Sequence, residues 1–470
     1  MLFDSPAYIL FLLLVVIVYW RLAFRAQNFF LLGASYFFYG WWDWRFLFLM
    51  AASTLVDFIV AQRIAVEKRQ GRRKALLLAS LVLNLSVLGF FKYFNFFVDS
   101  FVELAPMLGL KQIPVSLWQI ILPPAISFYT FQEVAYIVDV YRRKLEPSRS
   151  ITDYALFVSL FPHLIAGPIQ QPSHLLPQVQ NPRHWDSNKS FDGLMLILEG
   201  LFRKVVIADN CALVANAAFS GNLGSPNFLV LALGTMAFAL QIYGDFSGYS
   251  NIARGSAQLL GFHFMVNFRQ PYLAQSLQDF WRRWHISLSS WLRDYLYIPL
   301  GGSRLGNART YVNLMTTMLL GGLWHGANWT FVVWGGIHGA GLAIERLITG
   351  GGGISPATAV ASRWFRRLCV FAIVCVAWIF FRSQTLAESM HLLSGLAEWN
   401  WEPVLRVAMA FLAPFVVVML ILDVHLEKSG GEYFLANKSL ATRAATGVIF
   451  CVLTTLFGAN QTSAFIYFQF

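Results

Sequence analysis

Residues 278–302 read QDFWRRWHISLSSWLRDYLYIPLGG, and residues 319–339 read LLGGLWHGANWTFVVWGGIHG. Each stretch sets one histidine, His285 or His325, in apolar, tryptophan-rich sequence. Apolar runs flank both, so packed helices and lipid are their expected surroundings. An ionisable side chain at membrane depth is costly unless paired or wet, and its default reading is functional. Imidazole is also the side chain best suited to moving a proton near neutral pH. Chemistry inside a membrane is the first expectation.

Composition agrees. Of 470 residues, 57% are hydrophobic and 13% charged, where a soluble domain carries roughly 25% charged residues. Apolar stretches recur from end to end: Ala7 to Trp20, Ala75 to Gly89, Phe228 to Ile242, Phe411 to Leu422 and Ala444 to Phe457. Some fall short of the ~20 residues of a perpendicular span and need flanking aromatic or small residues. The expectation is an all-α, polytopic membrane bundle of about eleven to thirteen segments, some tilted or re-entrant. The first apolar segment lacks a basic leader and a small-residue cleavage site, so it reads as a retained helix. Cys211, Cys369, Cys375 and Cys451 form no CxxC pair, and buried packing thiols are expected.

The net charge of +11 is a topology signal, not a nucleic-acid footprint. Its basic residues gather in short loops: Arg63, Lys68, Arg69, Arg72, Arg73 and Lys74, then Arg142 to Lys144, then Arg363, Arg366 and Arg367. Such loops face the cytoplasm. Placing the Arg72 loop inside puts Arg21 and Arg25 inside and Met1 outside; placing the weakly basic loop of Lys428, Lys438 and Arg443 inside leaves Phe470 outside.

No linker or internal repeat divides the chain, so one domain over 1–470 is expected, with its denser core over about 122–340. There Gln132, Tyr136 and Asp139 are spaced i, i+4, i+7, on one helical face behind the break of Pro123 and Pro124. QIYGDFSGYSNIARGSAQLLGF (241–262) brings Asp245, Tyr249 and Arg254 into a glycine-interrupted segment read as a loop or broken helix. Broken helices at membrane depth line cavities or lie buried in protein. A polar centre in an apolar frame thus points to an internal tunnel.

For His285 the bland reading is an interfacial histidine among Trp281, Trp284 and Trp291. The functional one has a helix carrying His285 and Ser289 on one face. Arg282, Arg283, Arg293 and Arg304 suit an anionic substrate or the positive-inside pattern alone. His325, beside Trp324, is either a packing histidine or a catalytic base. His338 reads as a packing or supporting residue, and His163, between Pro162 and Pro168, as a structural corner. His285, His325 and Asp294 lack the short ligand spacings of zinc helices, and no GxSxG elbow exists. The last residues, FIYFQF, place Tyr467 as an interfacial anchor or an acyl acceptor.

Together with LLGASYFFYGWW (31–42), SFYTFQEVAYIVDVYR (127–142), FPHLIAGPI (161–169) and DFSGYSNIARGSAQLLGF (245–262), the two histidine blocks resemble the membrane-bound O-acyltransferase family. The resemblance is to its bacterial alginate O-acetylase membrane-subunit branch and covers nearly the whole chain. It implies a helical core with a central funnel, His325 as the principal catalytic residue and His285 as the second. Arg282, Arg283, Trp324, Ser289 and Asn328 become candidates for substrate binding or tunnel lining. The implied donor is acetyl-coenzyme A from the cytoplasm, used as substrate with no bound cofactor or metal. The implied acceptor is an exopolysaccharide, alginate or cellulose ahead of peptidoglycan, reached through a periplasmic SGNH-type partner and the polysaccharide machinery. An FxYxF-like ending in related export systems implicates Tyr467 as an acyl relay, although FIYFQF spaces its last aromatic one residue further on. The cell inner membrane is the expected location, with both termini periplasmic. D-alanyl transfer to teichoic acid is the runner-up within this class; a transporter or channel, or a scaffold for a polysaccharide synthase, are the alternatives outside it.

Overall fold

The computed structural model describes residues 1–109, 120–165, 167–352 and 359–458; Tyr467 lies outside them. Among the described residues every regular element is helical and none is a strand. They fall into two compact units. One comprises Met1, Ala7–Trp185 and Leu260–Phe264; the other comprises Leu2–Pro6, Asp186–Leu259 and the described part of Met265–Phe470. The expected 122–340 core draws on both.

The first unit holds α1 (Pro6–Tyr19), α2 (Phe24–Asp43), α3 (Arg45–Val66), α4 (Gln70–Leu104), α5 (Ile126–Tyr141), α6 (Ile151–Ser159), α7 (Phe161–Leu164) and α8 (Pro172–Gln180). The double proline stops the chain as expected: Ala125 adopts φ 61° and α5 begins after it. Gln132, Tyr136 and Asp139 are all buried. Gln132 Oε1 lies 3.2 Å from His163 Nε2. The Tyr136 hydroxyl accepts the Ser148 N–H at 2.9 Å, and its ring stacks on Tyr154 at 4.3 Å. On α3, buried Asp57 accepts from Ser80 at 2.5 Å and Asn84 at 2.7 Å, both on α4. These bonds supply the partners that a buried carboxylate requires.

The second unit holds α9 (Ser187–Leu201), α10 (Asp209–Phe219), α11 (Phe228–Leu259), α12 (Leu277–Arg283), α13 (Ile286–Leu292), α14 (Asn307–His325), α15 (Trp329–Thr349), α16 (Val360–Arg382), α17 (Leu386–Ser394), α18 (Pro403–Ser429) and α19 (Leu440–Phe457). Among the described residues, seven helices are long and apolar enough to cross a membrane: α3, α4 with its extension to Leu108, α11, α15, α16, α18 and α19. With 14 residues, α1 is shorter. The chain is a multi-pass, all-α membrane protein. Cys211 and Cys375 are buried as expected, whereas Cys369 and Cys451 are exposed on α16 and α19.

Gly261 follows the end of α11, but Gly244, Gly248 and Gly255 do not break the chain: α11 runs unbroken for 32 residues. They form a contact surface instead. A Cβ on Gly248 would sit 2.7 Å from the Gly200 carbonyl oxygen, and one on Gly255 2.3 Å from that of Gly193. Backbone thus meets backbone between α9 and α11, the close approach that small residues permit in membrane helices. Gly255→Ala is expected to destabilise the fold by about 1–3 kcal/mol, the usual range for overpacking. Thermal unfolding in detergent checks it; an unchanged midpoint would mean that the two helices separate without cost.

Between α9 and α10 the chain winds through a wide π-helical turn, Phe202–Ala208. This turn buries two consecutive cations, Arg203 and Lys204. Arg203 pairs with Glu199 at 2.8 Å and lies 3.8 Å from Asp423 on α18. Lys204 pairs with Asp209 at 2.7 Å and Asp245 at 2.8 Å.

Candidate active site

The helix expected to run through His285 is broken there. Its backbone is left-handed, φ 42° and ψ 55°, at the junction of α12 and α13. A non-glycine residue in that region is strained, by roughly 1–3 kcal/mol, and persists only where its surroundings fix it. Asn267 supplies much of that fixing. Its carbonyl accepts the Ile286 N–H at 2.9 Å, and its side-chain oxygen accepts the Ser287 N–H at 3.1 Å and hydroxyl at 2.9 Å. Asn267 Nδ2 donates to Ser250 on α11 at 3.2 Å. His285 Nδ1 lies 3.4 Å from the Ser287 hydroxyl. Its Nε2, also buried, has no hydrogen-bond partner among the described residues. Ser289 follows one turn later, but its hydroxyl donates to the Trp284 carbonyl at 3.1 Å and so serves the turn.

His325 is the last residue of α14. Its position follows from how closely α14 and α15 approach. A Cβ on Gly322 would lie 2.1 Å from the Phe331 carbonyl oxygen, and one on Gly335 2.2 Å from that of Met318. The glycines of LLGG and WGG therefore let the two helices touch and fix the turn that carries the imidazole. Asn328 caps α15 by accepting the Thr330 N–H at 2.9 Å, and its Nδ2 donates to the Gln384 carbonyl at 2.7 Å. Both ends of that amide hold the backbone, which accounts for Asn328 without a substrate.

The two histidine blocks meet. The imidazole centres of His285 and His325 are 6.4 Å apart. Trp324 packs against both, 5.9 Å from His285 and 5.2 Å from His325. Trp334 and Phe381 approach His325 to 5.1 and 5.4 Å, and Trp334 stacks on Trp378 at 5.8 Å. Phe246 and Phe268 each lie 6.0 Å from His285. Both histidines are buried inside this aromatic enclosure. His338 joins it from behind, 4.8 Å from Trp334 and stacked on Phe280. That packing role matches the expectation.

Beside the enclosure opens a cavity of about 490 Å³, and Asn267, Phe268, Ser250, Arg254, Arg269 and Arg283 contribute to its wall. Phe268 thus touches both the cavity and the His285 ring, and Asn267 lines the cavity while bonding Ile286 and Ser287, the two residues after His285. Arg283 is held by Asp279 at 2.7 Å and Glu427 at 2.5 Å. Arg254 is buried and pairs with half-exposed Glu432. Arg282 faces outward and lines no part of this wall. Sequence patterns singled out neither Asn267 nor the α16 aromatics Trp378 and Phe381. Asn267 sits in an unpatterned loop of mostly apolar residues, and the other two read as ordinary span residues.

The chain is similar in sequence to known proteins. The model of the membrane-bound O-acyltransferase family matches residues 145–391. The chain is 38% identical, over the full length of both proteins, to a probable alginate O-acetylase of Azotobacter vinelandii. It is 36% identical to a peptidoglycan O-acetyltransferase of Helicobacter pylori, across 85% of this chain and 80% of that one. A teichoic acid D-alanyltransferase of Streptococcus thermophilus is 28% identical across 53% of this chain and 63% of its own. The chain belongs to the membrane-bound O-acyltransferase family and is an O-acyltransferase.

Proposed function

We propose that this protein transfers acetyl from acetyl-coenzyme A, drawn from the cytoplasm, toward the hydroxyls of an alginate-like exopolysaccharide outside the inner membrane. The observation that carries this reading is the meeting of His285 and His325, their rings 6.4 Å apart, in one buried aromatic enclosure. Similarity across the full length of an alginate O-acetylase supports the acyl group and the polymer. The D-alanyl alternative has weaker support, because that likeness spans about half of the chain.

In this reading His325 takes the proton of an acceptor hydroxyl while its oxygen bonds to the thioester carbonyl carbon. The tetrahedral oxyanion then collapses, the carbon–sulfur bond breaks, and the departing thiolate takes the proton from His325. The imidazole returns to neutrality and no co-reactant is consumed. General acid–base catalysis supplies roughly 10²–10⁴-fold, and orientation supplies much of the remainder. Trp324, Trp334 and Phe381 crowd His325, which favours a two-carbon acyl group and keeps water from the thioester. Of the guanidinium groups along the cavity, Arg254 and Arg283 are paired with the lining carboxylates of Glu432 and Glu427, which leaves Arg269 to meet the phosphates of coenzyme A. Tyr467 or a periplasmic SGNH-type partner receives the acetyl group and passes it on to the polymer.

The test follows radiolabelled acetyl from acetyl-coenzyme A in membranes containing the wild-type chain or Tyr467→Phe at matched expression. Label reaching polymer or partner is the expected result. Loss of that label with Tyr467→Phe places the relay at the terminus. No transfer above membranes lacking the chain, with partner and polymer present, would overturn the reading.

A further inference from the structure

We infer that Asn267 and Ser287 are positioning residues that hold His285 with its proton on Nδ1, so that Nε2 offers a lone pair to an amide N–H of the thioester donor's arm. The identity of the donor rests on the acyl-transfer reading; the tautomer does not.

A count of protons leads there. A backbone N–H can only donate, so the Asn267 atom 3.1 Å from the Ser287 N–H is the amide oxygen. This fixes the orientation of the amide, with Nδ2 toward Ser250. The amide oxygen has no proton to give, so the 2.9 Å bond between it and the Ser287 hydroxyl uses the serine's single proton. Toward His285, 3.4 Å away, the Ser287 oxygen can then only accept. The proton in that contact is the imidazole's, on Nδ1. A neutral imidazole with Nδ1–H carries a bare lone pair on Nε2. Tautomers follow from such networks, and this one runs from α11 through Ser250, Asn267 and Ser287 to the ring.

The consequence separates the two histidines. A neutral Nε2 lone pair repels a developing oxyanion, so His285 is not the donor to it. The acceptor's hydroxyl proton goes to His325. What remains near the carbonyl of a pantetheine-type thioester is the N–H of the amide two carbons from sulfur. Nε2 of His285, which has no partner within the described chain, is placed to accept it. A thioester arm lacking that N–H would bind without this contact.

Two measurements test the inference on the full chain in nanodiscs. The first is solid-state ¹⁵N NMR with labelled histidine, the His285 signals being those that vanish in His285→Gln. Wild type should show a protonated Nδ1 and a bare Nε2; Ser287→Ala should mix the tautomers, and Ser287→Thr, which keeps the hydroxyl, should restore them. A protonated Nε2 in wild type would overturn the proposal whatever the activity. The second compares S,N-diacetylcysteamine with its N-methyl amide as acetyl donors. Wild type should favour the N–H donor in kcat/KM by roughly three- to tenfold, the range of one neutral hydrogen bond. Ser287→Ala should lose most of that preference and Ser287→Thr keep it. Equal use of both donors by wild type would overturn the substrate contact. If no donor transferred acetyl while the tautomer stood as predicted, the acyl-transfer reading would fail and the relay would remain.

Discussion

Replacing His325 with glutamine is expected to lower kcat for acetyl transfer by about 10²–10⁴-fold, the range that a positioned acid–base group contributes. Glutamine comes close to imidazole in volume, so the packing of Trp324, Trp334 and Phe381 around the site should survive. The KM for donor should change little, because a proton acceptor contributes in the transition state more than in the bound substrate. His338→Gln is the matched control. His338 is equally buried, 4.8 Å from Trp334, and serves as packing behind the site. It should lower the unfolding temperature without a collapse of kcat. Single-turnover rates with labelled acetyl-coenzyme A, read beside thermal unfolding in nanodiscs, separate the two. A His325→Gln enzyme that kept a tenth of wild-type kcat would remove His325 as the base.

The histidines could be read from sequence because of their setting. An imidazole between tryptophans in apolar sequence has few uses, and both blocks proved to share one enclosure. Helical spacing misled at His285, since the interval to Ser289 fits a continuous helix while the backbone turns left-handed at the histidine itself. What fixes that turn is Asn267, brought in from a preceding loop by contacts that leave no periodic trace. The α11 glycines show a different gap. Glycine within apolar sequence signals either a break or a close helix contact, and only the positions of Gly193 and Gly200 on the facing helix decide between them. Trp378 and Phe381 were invisible for a plainer reason: on a span, an aromatic facing lipid and one facing a site look alike. The all-α membrane class needed none of this, because hydropathy and charge distribution act on the whole chain.

Lys204→Met should cost more stability than Gly255→Ala, about 3–5 kcal/mol, the usual penalty for stripping one partner from a buried ion pair. The reason lies in the π-helical turn. Nearly every residue of that turn is buried, so Arg203 and Lys204, though consecutive, are both withdrawn from water. Each cation clamps a different neighbour. Lys204 holds Asp209 of α10 and Asp245 of α11, and Arg203 holds Glu199 and reaches Asp423 of α18. Removing Lys204 leaves Asp209 and Asp245 facing each other in a buried, water-poor site, where like charges without a cation are expensive. Against a total stability of roughly 5–15 kcal/mol, such a loss empties much of the folded population. The compensated variant, Lys204→Met with Asp209→Asn and Asp245→Asn, should recover most of it, since a buried ion cluster replaced by neutral groups is often close to neutral. Equilibrium unfolding of both variants in mixed micelles provides the comparison. If the single variant proved as stable as the compensated one, the cluster would not be the clamp between α10 and α11. Because α11 also carries Ser250 and Arg254 of the cavity wall, the single variant should in addition weaken donor use, and the compensated one should restore both properties together.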